Sequence, residues 1–169
     1  MFNPEYYMQD LALFKGFSGS ERAMLSMVFQ VRTYKEGDFL CREGDVYASF
    51  FVVASGEVAS FKRTRAGRLD LGRTGPDRLL GHISLVMGGK RSASMVATQT
   101  TVVLECNRAD FLQLFQANSP FAYKVMDVLV NDLARLLRNA DETLQRLRTS
   151  PDEGLSGQLD ALLAKGPQK

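Results

Sequence analysis

Between Val31 and Cys106 the apolar residues fall in strand-length stretches, continuous or alternating with polar ones. Turn-forming pairs divide them: Gly37-Asp38, Gly44-Asp45, Ser55-Gly56, Ala66-Gly67, Gly75-Pro76 and Gly88-Gly89. This spacing predicts a β-sandwich or roll. The continuous run Phe50-Phe51-Val52-Val53-Ala54 suits a buried strand, whereas Val58, Ser60 and Lys62 alternate with Ala59, Phe61 and Arg63, as on a strand with one wet face. On either side of this region the pattern turns helical. Asn3 before Pro4 has the form of a helix start and Ser18-x-x-Glu21 that of a capping box, which predicts two short, peripheral helices. After Cys106, Asn107 is placed to cap a helix through Phe111, Leu112 and Phe115. Ser119-Pro120 then opens a longer helix that runs to about Arg148, before Pro151.

On that last helix Met126, Leu129, Leu133, Leu136, Ala140 and Leu147 recur in a three-four alternation, with Thr143 in the same register. Val125, Val130, Leu137 and Leu144 widen the stripe. A stripe this wide is expected to pack on its own domain along one side and on a second helix along the other, which predicts a homodimer through residues 120–148. The expected organisation is N-terminal helices over 1–30, a roll over 31–106, C-terminal helices over 107–150 and a short tail over 151–169. The fold class is α+β.

Composition narrows the function without naming it. Among 169 residues, 21 basic and 19 acidic side chains leave a net charge of +2. That is too small a field to single out nucleic acid or an anionic membrane as partner. No apolar run reaches the ~18 residues of a membrane span. The opening Met1-Phe2-Asn3-Pro4-Glu5 lacks the basic-then-apolar order of a secretory signal, so a cytoplasmic location is expected. Cys41 and Cys106 lie far apart without metal-ligand spacing and read as reduced, packed thiols. With His82 as the only histidine, no metal site is expected. The sequence holds no Ser-His-Asp set and no Walker loop, which predicts a protein that is not an enzyme.

The segment 80–97 carries the chemistry. It runs from Leu80-Gly81 through a short apolar stretch able to begin a helix, then Gly88-Gly89, then Arg91 entering a strand. A helix start offers unpaired backbone N–H groups to an anion, and an arginine fork opposite them adds charge-assisted hydrogen bonds. Together they form a candidate phosphate cradle.

In the order Gly81-His82-Ile83-Ser84-Leu85, a spacer, and Arg91-Ser92-Ala93, this segment resembles the phosphate-binding cassette of the cyclic nucleotide-binding domain family, in the form of a catabolite activator protein-like sensor domain. The resemblance spans about residues 10 to 148. It includes Gly37-Asp38, Gly44-Asp45 and Gly56, Asp110-Phe111-x-x-Leu114, and Asn118-x-Pro120. The implied fold is an antiparallel β-roll of the jelly-roll or double-stranded β-helix type, with short N-terminal helices and a long C-terminal one. The implied ligand is a cyclic nucleotide, cyclic AMP ahead of cyclic GMP. Arg91 would pair with the cyclic phosphate, and Ser92 with the backbone near Ile83, Ser84 and Ala93 would add donors. Polar groups of the long helix would cover the base, with Arg138, Asn139 and Asp141 as candidates.

Four positions depart from the family pattern. His82 stands where the family carries a glutamate that accepts from the ribose 2′-hydroxyl. Losing a charged hydrogen bond of ~1.5 to 3 kcal/mol would weaken binding by about one to two decades, although a neutral imidazole keeps one acceptor nitrogen. In Gly75-Pro76-Asp77-Arg78 the family commonly has glycine in the third place. Lys90 and Leu80 replace a proline and a phenylalanine.

Transcriptional members of the family follow the long helix with a helix-turn-helix, and the residues after Arg148 hold at most one short helix, so direct DNA binding is not expected. The expectation is a stand-alone regulatory module for signalling, in which the nucleotide repositions the long helix and a protein partner receives the output. The alternative is a ligand-independent interaction or scaffold module with a degenerate pocket.

Overall fold

A computed structural model describes residues 3–46, 49–81, 88–114 and 120–149 and divides the chain into two units, residues 1–128 and 129–169. In the first unit, Asn3 accepts the Glu5 N–H at 3.0 Å and opens α1 (Pro4–Asp10), with proline in the first turn where its missing N–H costs nothing. A single 3-10 turn, Ala12–Phe14, follows. The expected capping box opens α2 (Gly19–Ser26): Ser18 Oγ accepts from Glu21 N–H at 3.3 Å, and Glu21 accepts from Ser18 N–H at 2.7 Å.

Among the described residues eight strands come next: β1 (Phe29–Tyr34), β2 (Phe39–Cys41), β3 (Ser49–Ser55), β4 (Val58–Thr64), β5 (Gly67–Thr74), β6 (Leu79–Leu80), β7 (Ser94–Ala97) and β8 (Thr101–Asn107). They form two antiparallel sheets ordered β1-β8-β3-β6 and β2-β7-β4-β5, which is the expected roll. In the first sheet β8 is central, pairing Leu104 with Val31 on one side and with Val52 on the other. Asn107 then caps α3 (Arg108–Gln113), accepting the Asp110 N–H at 2.9 Å.

β3 lies inside, as its apolar run predicts: Ser49 through Val53 are all buried. Its alternate residues face two different cores. Phe51 and Val53 join Cys41, Val58, Leu80, Met95 and Val103 inside the roll. Phe50 instead stacks edge-on against Phe29 at 5.5 Å and Phe111 at 5.2 Å, and Phe29 in turn meets Phe14 at 6.2 Å. The N-terminal helices are therefore more than peripheral. Met8, Leu11, Phe14, Phe17 and Leu25 are all buried, so these segments complete the second core. On β4 Val58, Ala59 and Phe61 are buried on both faces, and the Arg68 guanidinium lies 3.9 Å from the Phe61 ring centroid.

In the turn Gly75–Arg78 the backbone at Asp77 is left-handed. Asp77 has φ +62°, a left-handed conformation that aspartate tolerates better than most side chains. Its carboxylate accepts the Leu13 N–H at 3.1 Å, and its own N–H donates to Val53 O at 3.1 Å. The departure thus ties the N-terminal segment to the turn that leads into β6.

The long helix α4 (Pro120–Thr149) matches the expected span. At its start, within the first unit, Lys124 Nζ pairs with the Glu21 carboxylate at 2.8 Å and donates to Gly16 O at 3.3 Å. The hydrogen bond from Lys124 and that from the Ser18 backbone hold the Glu21 carboxyl below its ordinary range. In the second unit the helix carries an Asp132–Arg135 pair at 2.5 Å and a Glu142–Arg146 pair at 3.9 Å. Among the described residues no helix is long and apolar enough to cross a membrane.

Candidate functional site

Arg91 is held in place along its whole length by three segments distant in sequence. The β2–β3 turn fixes its backbone. Asp45 accepts the Arg42 N–H at 2.8 Å and closes the turn on itself, and Gly44 N–H donates to Arg91 O at 2.9 Å while Arg91 N–H donates to Asp45 O at 2.8 Å. A further bond from Glu43 N–H to Ser94 Oγ, at 2.9 Å, fastens the same turn to the start of β7.

The side chain of Arg91 then runs inward, and the residue is only 2% exposed. Nη2 donates to Ser49 Oγ at 3.0 Å, and Nη1 reaches Gly81 O at 3.5 Å, the outer limit of a hydrogen bond. The guanidinium carbon lies 5.5 Å from the Phe51 ring centroid, within range of a cation–π contact. Nε has no partner among the described residues, and no carboxylate pairs with this arginine there. A buried cation with an orphaned donor and no counter-charge is costly, by several kcal/mol before compensation. An anion that accepted from the Nε edge would remove both costs at once.

Gly81 makes this packing possible. Its φ is +76°, and a Cβ there would stand 2.3 Å from Arg91 Nη1 and 3.2 Å from Ser49 O. Any side chain would have to displace the guanidinium or the β3 backbone.

The surroundings are of low polarity. The Cys41 thiol donates weakly to Ala93 O at 3.8 Å and is pushed up by burial, with the Arg91 charge opposing that shift. On the other face of the first sheet, burial pushes the Cys106 thiol up to about 12, with the Asp110 and Glu105 carboxylates adding to the effect. Both cysteines are free, as their spacing suggested, and the described residues contain no cluster of three or more candidate metal ligands.

Of the residues singled out in the sequence, Gly81 and Arg91 meet directly. Ala93 is buried beside them through its contact with Cys41, while Ser92 is exposed. His82, Ile83 and Ser84 lie outside the described residues. Asn139 sits on the exposed surface of α4 in the second unit, where its carbonyl accepts from Thr143 Oγ1 at 2.8 Å. Sequence reasoning missed Ser49. The available signal was a hydroxyl residue immediately before a run of five apolar residues in a strand expected to be buried, since a buried hydroxyl needs a partner.

The chain is similar to known proteins in sequence and in fold. The family profile described as "Cyclic nucleotide-binding domain" matches residues 31–118. The cyclic AMP receptor protein of Thermus thermophilus is 35% identical over 141 residues, covering 83% of this chain and 63% of that protein. A cAMP-dependent protein kinase regulatory subunit of Mycosarcoma maydis is 26% identical over 57% of this chain and 18% of its own length. The chain thus spans less than two thirds of these relatives. Among solved structures, the Thermus thermophilus catabolite activator protein superposes with a TM-score of 0.68 at 36% identity, covering 80% of this chain and 62% of that one. A cyclic nucleotide-binding domain from Methylobacillus flagellatus reaches a TM-score of 0.72 at 28% identity, covering 86% and 83%. With the profile matched over half of the chain and a relative 35% identical over 83% of it, the chain belongs to the cyclic nucleotide-binding domain family, as a regulatory domain related to the catabolite activator protein and to the regulatory subunits of cyclic AMP-dependent kinases.

Proposed function

We propose that this protein is a regulatory module that binds a cyclic nucleotide, cyclic AMP ahead of cyclic GMP, and passes the signal to a protein partner. The observation that carries the reading is Arg91: a buried guanidinium, aligned by Ser49 and Gly81, with an unpartnered Nε and no carboxylate among the described residues to neutralise it. A cyclic phosphate is a monoanion with two free oxygens and suits one arginine fork. The printed names of the relatives, a cyclic AMP receptor protein and cAMP-dependent kinase regulatory subunits, favour the adenine nucleotide.

In this reading Gly81, Ile83, Ser84, Ser92 and Ala93 complete the phosphate cradle. Asn139 contributes to the base, and His82 receives the ribose hydroxyl that a glutamate takes elsewhere in the family. The exposed apolar side chains of α4, Val130, Leu137 and Leu144, are the surface for a homodimer or an effector, and we assign residues 120–148 to the dimer. The protein's role is binding rather than catalysis.

Calorimetric titration with cyclic AMP and cyclic GMP tests this, with Arg91→Ala and His82→Glu alongside. Removing the fork should weaken cyclic AMP by about 100-fold or more, and restoring the glutamate should tighten it by about one to two decades. Absence of heat up to millimolar ligand in both the wild type and His82→Glu would overturn the reading in favour of a ligand-independent interaction module.

A further inference from the structure

We infer that Ser49 is a positioning residue that keeps Arg91 both aligned and uncompensated, so that the side chain at position 49 sets how strongly the site demands an anion. The inference rests on reading Arg91 as the anion-binding group. Ser49 is 0% exposed and stands at the first position of β3, where the strand enters the roll. Its hydroxyl is the closest polar partner of the guanidinium, accepting from Nη2 at 3.0 Å. Among the described residues, the Gly81 carbonyl at 3.5 Å and the face of Phe51 also meet the guanidinium, and both are neutral.

A hydroxyl fixes the orientation of a cation without cancelling its charge. A carboxylate at the same place would orient Arg91 equally well and would also supply its counter-ion, leaving an incoming phosphate nothing to neutralise. Position 49 therefore decides whether the site takes its negative charge from the protein or from the ligand. Nε, without a partner among the described residues, marks the edge of the guanidinium left for that ligand.

Four full-length proteins test this: wild type, Ser49→Ala, Ser49→Asn and Ser49→Asp. The probes are cyclic AMP and inorganic phosphate, with adenosine as the uncharged control, read by calorimetry and by the ligand-free melting temperature. Asparagine and aspartate have nearly the same shape, so their difference isolates charge. Ser49→Asn should bind cyclic AMP within about threefold of wild type, Ser49→Ala about tenfold more weakly and Ser49→Asp about 100-fold more weakly, each factor of ten being one step in the binding constant. Adenosine affinity should be unchanged across the series, and ligand-free Ser49→Asp should melt above Ser49→Asn. Equal cyclic AMP affinity in Ser49→Asp and Ser49→Asn would overturn the inference while leaving the cyclic nucleotide reading intact. If the wild type binds neither anion, the nucleotide reading fails. The melting order of the two variants then decides position 49 separately: Ser49→Asp at or below Ser49→Asn would overturn its role.

Discussion

The two sides of β3 are built on opposite principles. On one side Phe50 meets Phe29 and Phe111, with Phe14 and the N-terminal helices closing the packing, and the whole cluster is apolar. On the other, one residue further along, Phe51 lies beneath a guanidinium that is buried and lacks a counter-charge among the described residues. The first side lowers the free energy of folding by removing aromatic surface from water. The second raises it, because a buried cation is stable only when something neutralises it. A regulatory domain needs both: a region that is finished on folding and a region that a ligand finishes. The thiols report the same division. Cys106, opposite Phe50 in the sheet, is shifted upward by burial and by neighbouring carboxylates, whereas at Cys41 the Arg91 charge opposes the shift.

The sharpest way to break the comparison is to damage the finished side alone. Phe50→Ala should lower stability by about 3 to 5 kcal/mol, measured by denaturant unfolding, while cyclic AMP affinity of the folded protein stays within about twofold. A parallel loss of affinity at temperatures where the variant is folded would show that the two sides are not separate.

A smaller effect is expected at Asp77, whose bond to Leu13 joins the N-terminal segment to the turn before β6 and Gly81. Asp77→Ala places an ordinary side chain at φ +62° and removes the acceptor, for a loss of roughly 1 to 2 kcal/mol. Asp77→Gly relieves the backbone and should cost about half as much. Thermal unfolding of the pair separates the two contributions, and identical losses would show that the left-handed turn carries no strain.

A third effect concerns pH. Cys106 has a folded-state value of about 12 against 9.0 for a free thiol, so the unfolded chain gives up this proton first. Its contribution to stability is fully present below pH 9 and falls as pH rises toward 12, at no more than about 1.4 kcal/mol per pH unit. Cys106→Ala should flatten that alkaline slope in urea unfolding measured between pH 8 and pH 10. An unchanged slope would show that other groups govern it.

Much of this architecture was legible because it is written in local signals. Asn3-Pro4, Ser18-x-x-Glu21 and Asn107 each start the helix they announce, since a cap is a bond between near neighbours. The apolar run after Ser49 marked the buried strand for a similar reason. β5 was not legible. Gly67–Thr74 is exposed over nearly its whole length, and only pairing with β4, from Val58 opposite Thr74 to Thr64 opposite Gly67, makes it a strand. Gly81 and Arg91 were singled out within one short segment, and the structure brings them within 3.5 Å of each other. Ser49 was not singled out, because it lies 42 residues from its partner.

The sequence by itself determined the helix starts, the turns and the buried strand. These follow from residue type and short-range spacing, which the chain carries whether folded or not. Only the tertiary structure decided that Arg91 is buried without a carboxylate partner among the described residues, that Ser49 accepts from its fork, and that Asp77 accepts the Leu13 N–H. Such facts depend on which distant segments meet, and meeting is settled by sheet register and packing rather than by any neighbour along the chain.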